Sequence, residues 1–201
     1  MDSKLKGWHS RGYLPHFDGG ILWQFITIHL ADSVPQQLIE KWKKELEGEP
    51  DEIRKIELYE RVEKYLDRGY GACYLKREDI AAIIRDSLLH FDGQRHKLTS
   101  WVVMPNHVHF LLLPLNENSL SDIVHSIKSY TATKVNKALE RTGQFWQEDY
   151  FDRFIRTEEH YYYTTNYIHN NPVKAGLCKA AKDWKFSSIN MERPQSLSKA
   201  N

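Results

Sequence analysis

The 201-residue sequence has only two cysteines and no long apolar run. Cys73 and Cys178 lie far apart and form no C-x-x-C pair, which argues against a zinc knuckle and a disulfide framework. No segment approaches the apolar length that a bilayer-spanning helix needs. The first residues lack the apolar centre and small-residue cleavage site of a secretory signal. We therefore expect a cytoplasmic protein that has no membrane partner.

A strong excess of one charge is also missing, since 28 basic and 27 acidic residues give a formal net charge of +1. Bulk electrostatics therefore neither requires nor excludes a nucleic-acid partner. Basic residues do gather locally on two neighbouring segments, namely Lys128, Lys134, Lys137 and Arg141, followed by Arg153 and Arg156. On spacing alone, a segment this polar is more often a solvated helix face than a binding surface.

The length and composition suit one domain with a proper core, with 41% hydrophobic and 27% charged residues. A charged stretch at 34–70 has apolar residues at helical spacing and is interrupted by "GEPDE", which predicts two helices. We expect a single domain over residues 1–189, with these helices as an insertion, and a disordered tail at 190–201 because that segment is polar.

The order of predicted elements indicates the fold class. A strand at "LWQFITIHLA" is followed by helices, then by the strands "HKLTSWVVM" and "HVHFLLLP", a helix to about Leu139, a strand at "YFDRFIR" and a last helix capped by Thr157. We expect that last helix to end at "NNP", because a residue that precedes proline disfavours helical geometry. The order predicts an α+β protein with a ferredoxin-like antiparallel sheet of the split β-α-β type and an appended C-terminal helix.

Two histidines stand one residue apart in the apolar run "WVVMPNHVHFLLLP". On a strand, His107 and His109 point to one face about 6.6 Å apart, close enough for both imidazoles to bind one ion. Val108 and Phe110 point the other way, into the core. The continuation "FLLLP" lacks the nearby Asp and His of zinc hydrolases and the Glu and glycines of cupins. Any further ligand must therefore come from elsewhere in the chain.

The segment "YYYTTNYIHNNPVKAGL" is the best source of that ligand. In a helix, Tyr167 and Asn171 share a face, and Tyr163 lies one turn earlier. An amide oxygen suits Mg²⁺ or Mn²⁺, and a tyrosine phenol can be a covalent nucleophile. The same spacing also fits a buried aromatic stripe, which is the commoner arrangement.

Several ordered motifs resemble one family, the single-tyrosine HUH transposases of small insertion sequences, and within it the REP-associated tyrosine transposases. The matching stretches are "SRGYLPHFDGG", "WVVMPNHVHFLL", "FWQEDYFDRFIR", "YIHNNPVKAGL" and "DWKFSS". The resemblance extends from about Trp8 to Ser188. It implies a ferredoxin-like domain that cuts and rejoins single-stranded DNA. The long charged stretch before Arg77 exceeds what a minimal member needs.

Carried over residue by residue, the resemblance implies that His107, His109 and Asn171 bind a divalent metal ion and that Tyr167 is the nucleophile, with Tyr163 as its rival. It implies a metal-dependent single-stranded DNA endonuclease and transposase that cleaves and rejoins hairpin-flanking DNA through a 5′-phosphotyrosine intermediate. The expected cofactor is Mg²⁺ or Mn²⁺. The protein would be bacterial and associated with the nucleoid.

The expected partner is single-stranded or hairpin DNA, because bases stack on aromatic rings while cations follow phosphates. Candidate DNA contacts are Lys128, Arg153, Arg156 and Lys174. The protein could act as a monomer or a homodimer. Two alternatives stay open: a domesticated hairpin-DNA-binding protein without cleavage activity, and an unrelated metal-dependent phosphodiesterase acting on small nucleotides. Only the transposase hypothesis requires a covalent protein–DNA adduct.

Overall fold

Four strands form one antiparallel sheet at the centre of the fold. The computed structural model describes residues 7–10, 15–18 and 21–191. The strands of the sheet are β3 (Gln24–His29), β4 (His96–Val103), β5 (His107–Pro114) and β6 (Phe151–Phe154). Their spatial order is β4-β5-β3-β6, and every neighbouring pair is antiparallel. This order and the crossing helices confirm the predicted ferredoxin-like α+β fold.

Within residues 21–191, five α-helices accompany the sheet. They are α1 (Gln36–Glu45), α2 (Asp51–Leu66), α3 (Glu78–His90), α4 (Leu120–Ala138) and α5 (Glu158–Lys174). A second, two-stranded sheet pairs β1 (Gly7–Ser10) with β2 (Pro15–Asp18), and the sequence did not predict it. Within the described residues, no helix is long and apolar enough to cross a membrane.

The two faces of the four-stranded sheet carry different layers because strand side chains alternate. On one face, Val108 and Phe110 pack against apolar residues of α3 and α4, which confirms their predicted place in the core. On the other face, Phe25 and Leu111 pack against Tyr161 and Ile168 of α5. His107 and His109 share this second face with Leu111, since they alternate with Val108 and Phe110 along β5.

The helices α1 and α2 form a small cluster of their own. Ile39 of α1 packs with Leu58, Val62 and Leu66 of α2, and Phe151 of β6 joins them. The predicted division near "GEPDE" is confirmed, because α1 ends at Glu45 and α2 begins at Asp51. The single domain over 1–189 stays a prediction, and the predicted tail at 190–201 lies almost wholly outside the described residues.

The last helix begins as predicted and ends later than predicted. The Thr157 hydroxyl accepts a hydrogen bond from the backbone N–H of His160, which confirms the N-cap. The predicted end at "NNP" is wrong, because α5 continues to Lys174 with Pro172 inside it. Proline removes only one backbone donor in the last turn, and the N–H of Leu177 still bonds to the Pro172 carbonyl. Asn171 is therefore helical and lies one turn after Tyr167.

Candidate active site

His107 and His109 meet at their outer ring nitrogens. Both side chains are fully buried, and the two Nε2 atoms lie 3.1 Å apart. The two rings lie with their centroids 4.6 Å apart and their planes at 72°. The pair therefore offers two convergent nitrogen atoms at one point on the face of the sheet that α5 covers.

The inner ring nitrogens are held by other side chains. Nδ1 of His107 lies 2.7 Å from Oδ1 of Asn106, and Nδ1 of His109 lies 2.8 Å from the hydroxyl of Thr27 on the neighbouring strand. An amide oxygen only accepts hydrogen bonds, so the hydrogen of His107 sits on Nδ1. Its Nε2 then carries a lone pair, which accepts a hydrogen bond or binds a metal ion.

Burial keeps both rings neutral. Desolvation lowers the pKa of His109 to about 3, and the charge of Lys174 adds to that shift. Desolvation also places the pKa of His107 well below its ordinary value, with the nearby His109 and His29 contributing. Both rings are therefore uncharged at physiological pH, and the uncharged imidazole is the form that binds a metal ion.

The helix α5 brings Tyr167 and Asn171 to the histidine pair. The ring centroid of Tyr167 lies 5.5 Å from that of His109, and the side-chain nitrogen of Asn171 lies 3.3 Å from His109 Nε2. Asn171 is fully buried, and its Oδ1 has no hydrogen-bond partner. Tyr163 is 71% exposed, so the structure groups Tyr167, and not its rival, with the histidines.

A divalent cation fits this set of side chains. Two neutral imidazole nitrogens face one another, and the unpartnered Asn171 oxygen belongs to an amide already in contact with His109. Among the residues that the structure describes, no three His, Cys, Asp or Glu side chains form a metal-binding group. The amide oxygen of Asn171 is our candidate for the third protein ligand, because an amide oxygen suits Mg²⁺ or Mn²⁺.

Sequence reasoning missed Glu63, which α2 inserts into the same site. The Tyr167 hydroxyl donates a hydrogen bond of 2.5 Å to Glu63 Oε2, and that oxygen lies 3.3 Å from Nε2 of His109. Burial raises the pKa of Glu63 to about 8, against the Tyr167 hydrogen bond, which lowers it. Burial and the Glu63 charge also raise the pKa of Tyr167. The available signal was an acidic residue between Val62 and Leu66 on the apolar side of a predicted helix.

The four candidate DNA contacts differ in their surroundings. Arg153 and Arg156 are exposed, and the Arg156 guanidinium lies 4.9 Å from the ring centroid of Phe154. Lys174 is paired with Asp67 at 2.8 Å and lies over the Tyr167 ring. Lys128 is half-buried and donates to the Glu148 carbonyl at 2.6 Å; burial lowers its pKa to about 8. Lys174 is thus the one of the four that adjoins the histidine and tyrosine cluster.

The chain is similar to known proteins both in sequence and in fold. Residues 76–171 match the sequence profile of the family described as "Transposase IS200 like". The chain is 29% identical over 97 residues to a REP-associated tyrosine transposase of Escherichia coli. The resemblance to the tyrosine transposases is confirmed. A Haemophilus influenzae protein that carries the same family name is 26% identical over 100 residues.

The similarity to these tyrosine transposases has a definite extent. The two matches cover 48% and 45% of this chain and a little over half of each relative, 56% and 57%. A solved structure of a REP-associated tyrosine transposase bound to a REP hairpin superimposes with a TM-score of 0.57 at 19% identity. The superposition covers 89% of this chain and 83% of the transposase chain. Because the identity is low, the superposition shows a shared fold and no more. The match to residues 76–171 contains the histidine pair, Tyr167 and Asn171, but not α1 or α2.

Proposed function

We propose that this chain is a metal-dependent single-stranded DNA endonuclease and transposase that uses Tyr167 as its nucleophile. One observation carries the proposal: a tyrosine hydroxyl, a buried amide with an unpartnered oxygen and two convergent imidazoles form one cluster on the sheet. These residues all lie within the stretch, 76–171, that matches a transposase family, which supports the proposal.

The reaction needs an attacking oxygen held in line with the bond that breaks. The Tyr167 hydroxyl loses its proton as its oxygen forms a bond to the phosphorus, and the bond from phosphorus to the 3′ oxygen breaks. The electron pair of that bond goes to the leaving oxygen, which becomes a 3′-hydroxyl on taking up a proton. One phosphoester bond replaces another, so the resulting 5′-phosphotyrosine can be rejoined without external energy.

The chain's own groups supply the surroundings for this step. His107, His109 and Asn171 would hold Mg²⁺ or Mn²⁺, which as a Lewis acid stabilises charge on the scissile phosphate. The Lys174 ammonium lies 5.5 Å from the centroid of the Tyr167 ring, where a cation can pair with the scissile phosphate.

Hairpin DNA is the proposed substrate. A relative with the same fold was solved with a REP hairpin, and exposed Arg153 and Arg156 provide phosphate-binding groups on β6 and just after it. Cleavage would then occur in the single strand that flanks the hairpin.

The decisive test is a search for the covalent intermediate. A hairpin oligonucleotide with a single-stranded flank is labelled at its 3′ end, because the fragment retained on the enzyme lies 3′ of the nick. It is incubated with the protein in Mg²⁺, in Mn²⁺ or in EDTA and separated on a denaturing gel. We expect a labelled band of protein size with either metal and none in EDTA. Tyr167→Phe should abolish the band, whereas Tyr163→Phe, a substitution at an exposed tyrosine, should leave it.

Three outcomes contradict the proposal in different ways. An adduct that survives in Tyr167→Phe rejects the nucleophile. An adduct of equal yield in EDTA rejects the metal requirement. If the wild-type protein binds the hairpin and forms no adduct, the protein is a hairpin-DNA-binding factor rather than a nuclease.

A further inference from the structure

The helix α2 reaches the active site although it lies outside the matched residues 76–171. Glu63 is 4% exposed, and its Oε2 accepts the hydrogen bond from the Tyr167 hydroxyl at 2.5 Å. The same oxygen lies 3.3 Å from Nε2 of His109. Near the end of α2, Asp67 pairs with Lys174, which lies one turn after Asn171 on α5. The C-terminal end of α2 therefore contacts the proposed nucleophile, Tyr167, through Glu63, and it contacts Lys174 at the end of α5 through Asp67.

The position of Glu63 is fixed by its surroundings. Val62 and Leu66 anchor this part of α2 in an apolar cluster. Tyr59, one turn before Glu63, packs its ring edge-on against Phe25 and Phe151 of the sheet, at centroid distances of 6.4 and 5.2 Å. A side chain on such a fixed helix can hold its partner in one orientation.

We propose that Glu63 is a positioning residue for the nicking reaction. Its carboxyl group accepts a hydrogen bond from the Tyr167 hydroxyl and holds the phenol beside His109. This inference rests on the proposed function. A phenol without this partner can swing about its side-chain bonds and leave the in-line geometry, and a displacement of about 1 Å can reduce a rate about 100-fold. The helix α2 thereby acquires a role in assembling the active site.

A purely structural role for Glu63 makes a different prediction. A buried acid is costly to desolvate, so its replacement by a smaller or apolar group changes the free energy of unfolding. That effect would be the same whether or not Tyr167 takes part in a reaction. A positioning role predicts a change in the rate of adduct formation at saturating DNA, with unchanged DNA affinity, and rescue by a side chain that still accepts the hydrogen bond.

The test compares Glu63→Ala, Glu63→Gln and the control Glu60→Ala, in which an exposed residue of the same helix is changed. The rate of adduct formation is measured at saturating labelled hairpin DNA, and the Kd for the DNA is measured separately. We expect Glu63→Ala to lower the rate about 10- to 100-fold, within the range expected for misplaced reactants, and to leave Kd unchanged. Glu63→Gln should stay within about threefold of wild type, because its amide oxygen can accept the same hydrogen bond. Thermal melting verifies that each variant is folded at the assay temperature.

A second measurement does not depend on cleavage. Proteins carrying ¹³C-labelled tyrosine rings are compared by NMR, and Tyr167→Phe identifies the Tyr167 resonance. Glu63→Ala should shift that resonance, whereas Glu60→Ala should not. An adduct rate for Glu63→Ala within twofold of wild type, a Glu63→Gln variant as slow as Glu63→Ala, or an unmoved Tyr167 resonance would each overturn the inference. If the wild-type protein forms no adduct, the proposed function fails, and the resonance still reports whether Glu63 holds the phenol.

Discussion

The Nδ1 atom of His107 donates a hydrogen bond of 2.7 Å to the side-chain oxygen of Asn106. The nitrogen of that same amide lies 3.2 Å from the Leu66 carbonyl and 3.0 Å from the Tyr70 carbonyl. Carbonyls accept only, so these two contacts fix which end of the amide faces His107. Asn106 therefore sets the ring orientation and the tautomer of a candidate metal ligand.

The first prediction concerns this outer contact. Asn106→Ala should weaken the binding of Mn²⁺ about 10- to 100-fold, because partners of metal-bound histidines orient the ring and raise its basicity. Isothermal titration of the folded variant with Mn²⁺ measures the change. The control is Asn170→Ala, since Asn170 is exposed on α5 and its side chain donates to the Asn166 carbonyl of the same helix. Equal Mn²⁺ affinities in wild type and Asn106→Ala would show that Asn106 has no part in metal binding.

The second prediction separates two candidate DNA contacts by their burial. Arg153 is exposed, whereas Lys128 is half-buried and donates to the Glu148 carbonyl. Arg153→Ala should weaken hairpin binding and reduce the slope of log Kd against log salt by about 1, as expected for the loss of one phosphate contact. Lys128→Ala should leave that slope unchanged and lower the melting temperature. Fluorescence anisotropy at several salt concentrations gives the slopes, and the reverse pattern would reassign the contact to Lys128.

Local patterns predicted most of the fold because each depends on neighbouring residues. The strands β3 and β5, the Thr157 cap and the break at "GEPDE" all follow from local patterns, and the structure agrees with each. The end of α5 was misjudged for a local reason too. A proline in the last turn of a helix removes one backbone donor, but the other hydrogen bonds of that turn still form. The tendency of a residue before proline to leave helical geometry does not take this into account.

The site was only partly accessible from the sequence because its remaining members meet across long stretches of chain. Glu63 contacts a tyrosine 104 positions later, and no motif surrounds it in the charged segment between the first strand and Arg77. Asn106 lies between β4 and β5, and its contact with His107 needs a side-chain orientation that spacing does not encode. Lys128 and Arg153 are both basic residues on polar segments, but Lys128 is half-buried and Arg153 is exposed, and the sequence did not predict this difference.

The third prediction is a loss of stability in acid that involves His29. Burial lowers its pKa to about 4, and the Lys128 charge adds to the shift while the Leu30 carbonyl and Asp149 oppose it. His107 lies opposite His29 in the strand register. The unfolded chain binds a proton near pH 6.5 and the folded chain only near pH 4, so this contribution is present above pH 6.5 and is lost as the pH falls through that window.

The expected loss from His29 between pH 6.5 and 4 is about 3 kcal/mol, at about 1.4 kcal/mol per pH unit. Urea unfolding in EDTA at several pH values measures it. His29→Asn removes the titrating group and should show a shallower dependence than wild type over this window. Parallel curves for the two proteins would mean that His29 does not contribute, and that other buried groups such as His107 and His109 account for any slope.

The fourth prediction concerns the turn that carries the Tyr70 carbonyl to Asn106. Gly69 and Gly71 both have positive φ angles, of 70° and 87°, so alanine strains the backbone at either position. A Cβ on Gly71 would also lie 2.9 Å from the Asp32 carbonyl oxygen, whereas nothing lies within 4 Å of a Cβ on Gly69. Backbone strain of this kind costs about 1–3 kcal/mol, and the clash at Gly71 adds to it.

Gly71→Ala should therefore lower the free energy of unfolding more than Gly69→Ala does. It should also weaken Mn²⁺ binding, because the turn must move away from Asn106. Urea unfolding and Mn²⁺ titration of both variants test this, and equal effects would show that the close approach to Asp32 is relieved without moving the turn.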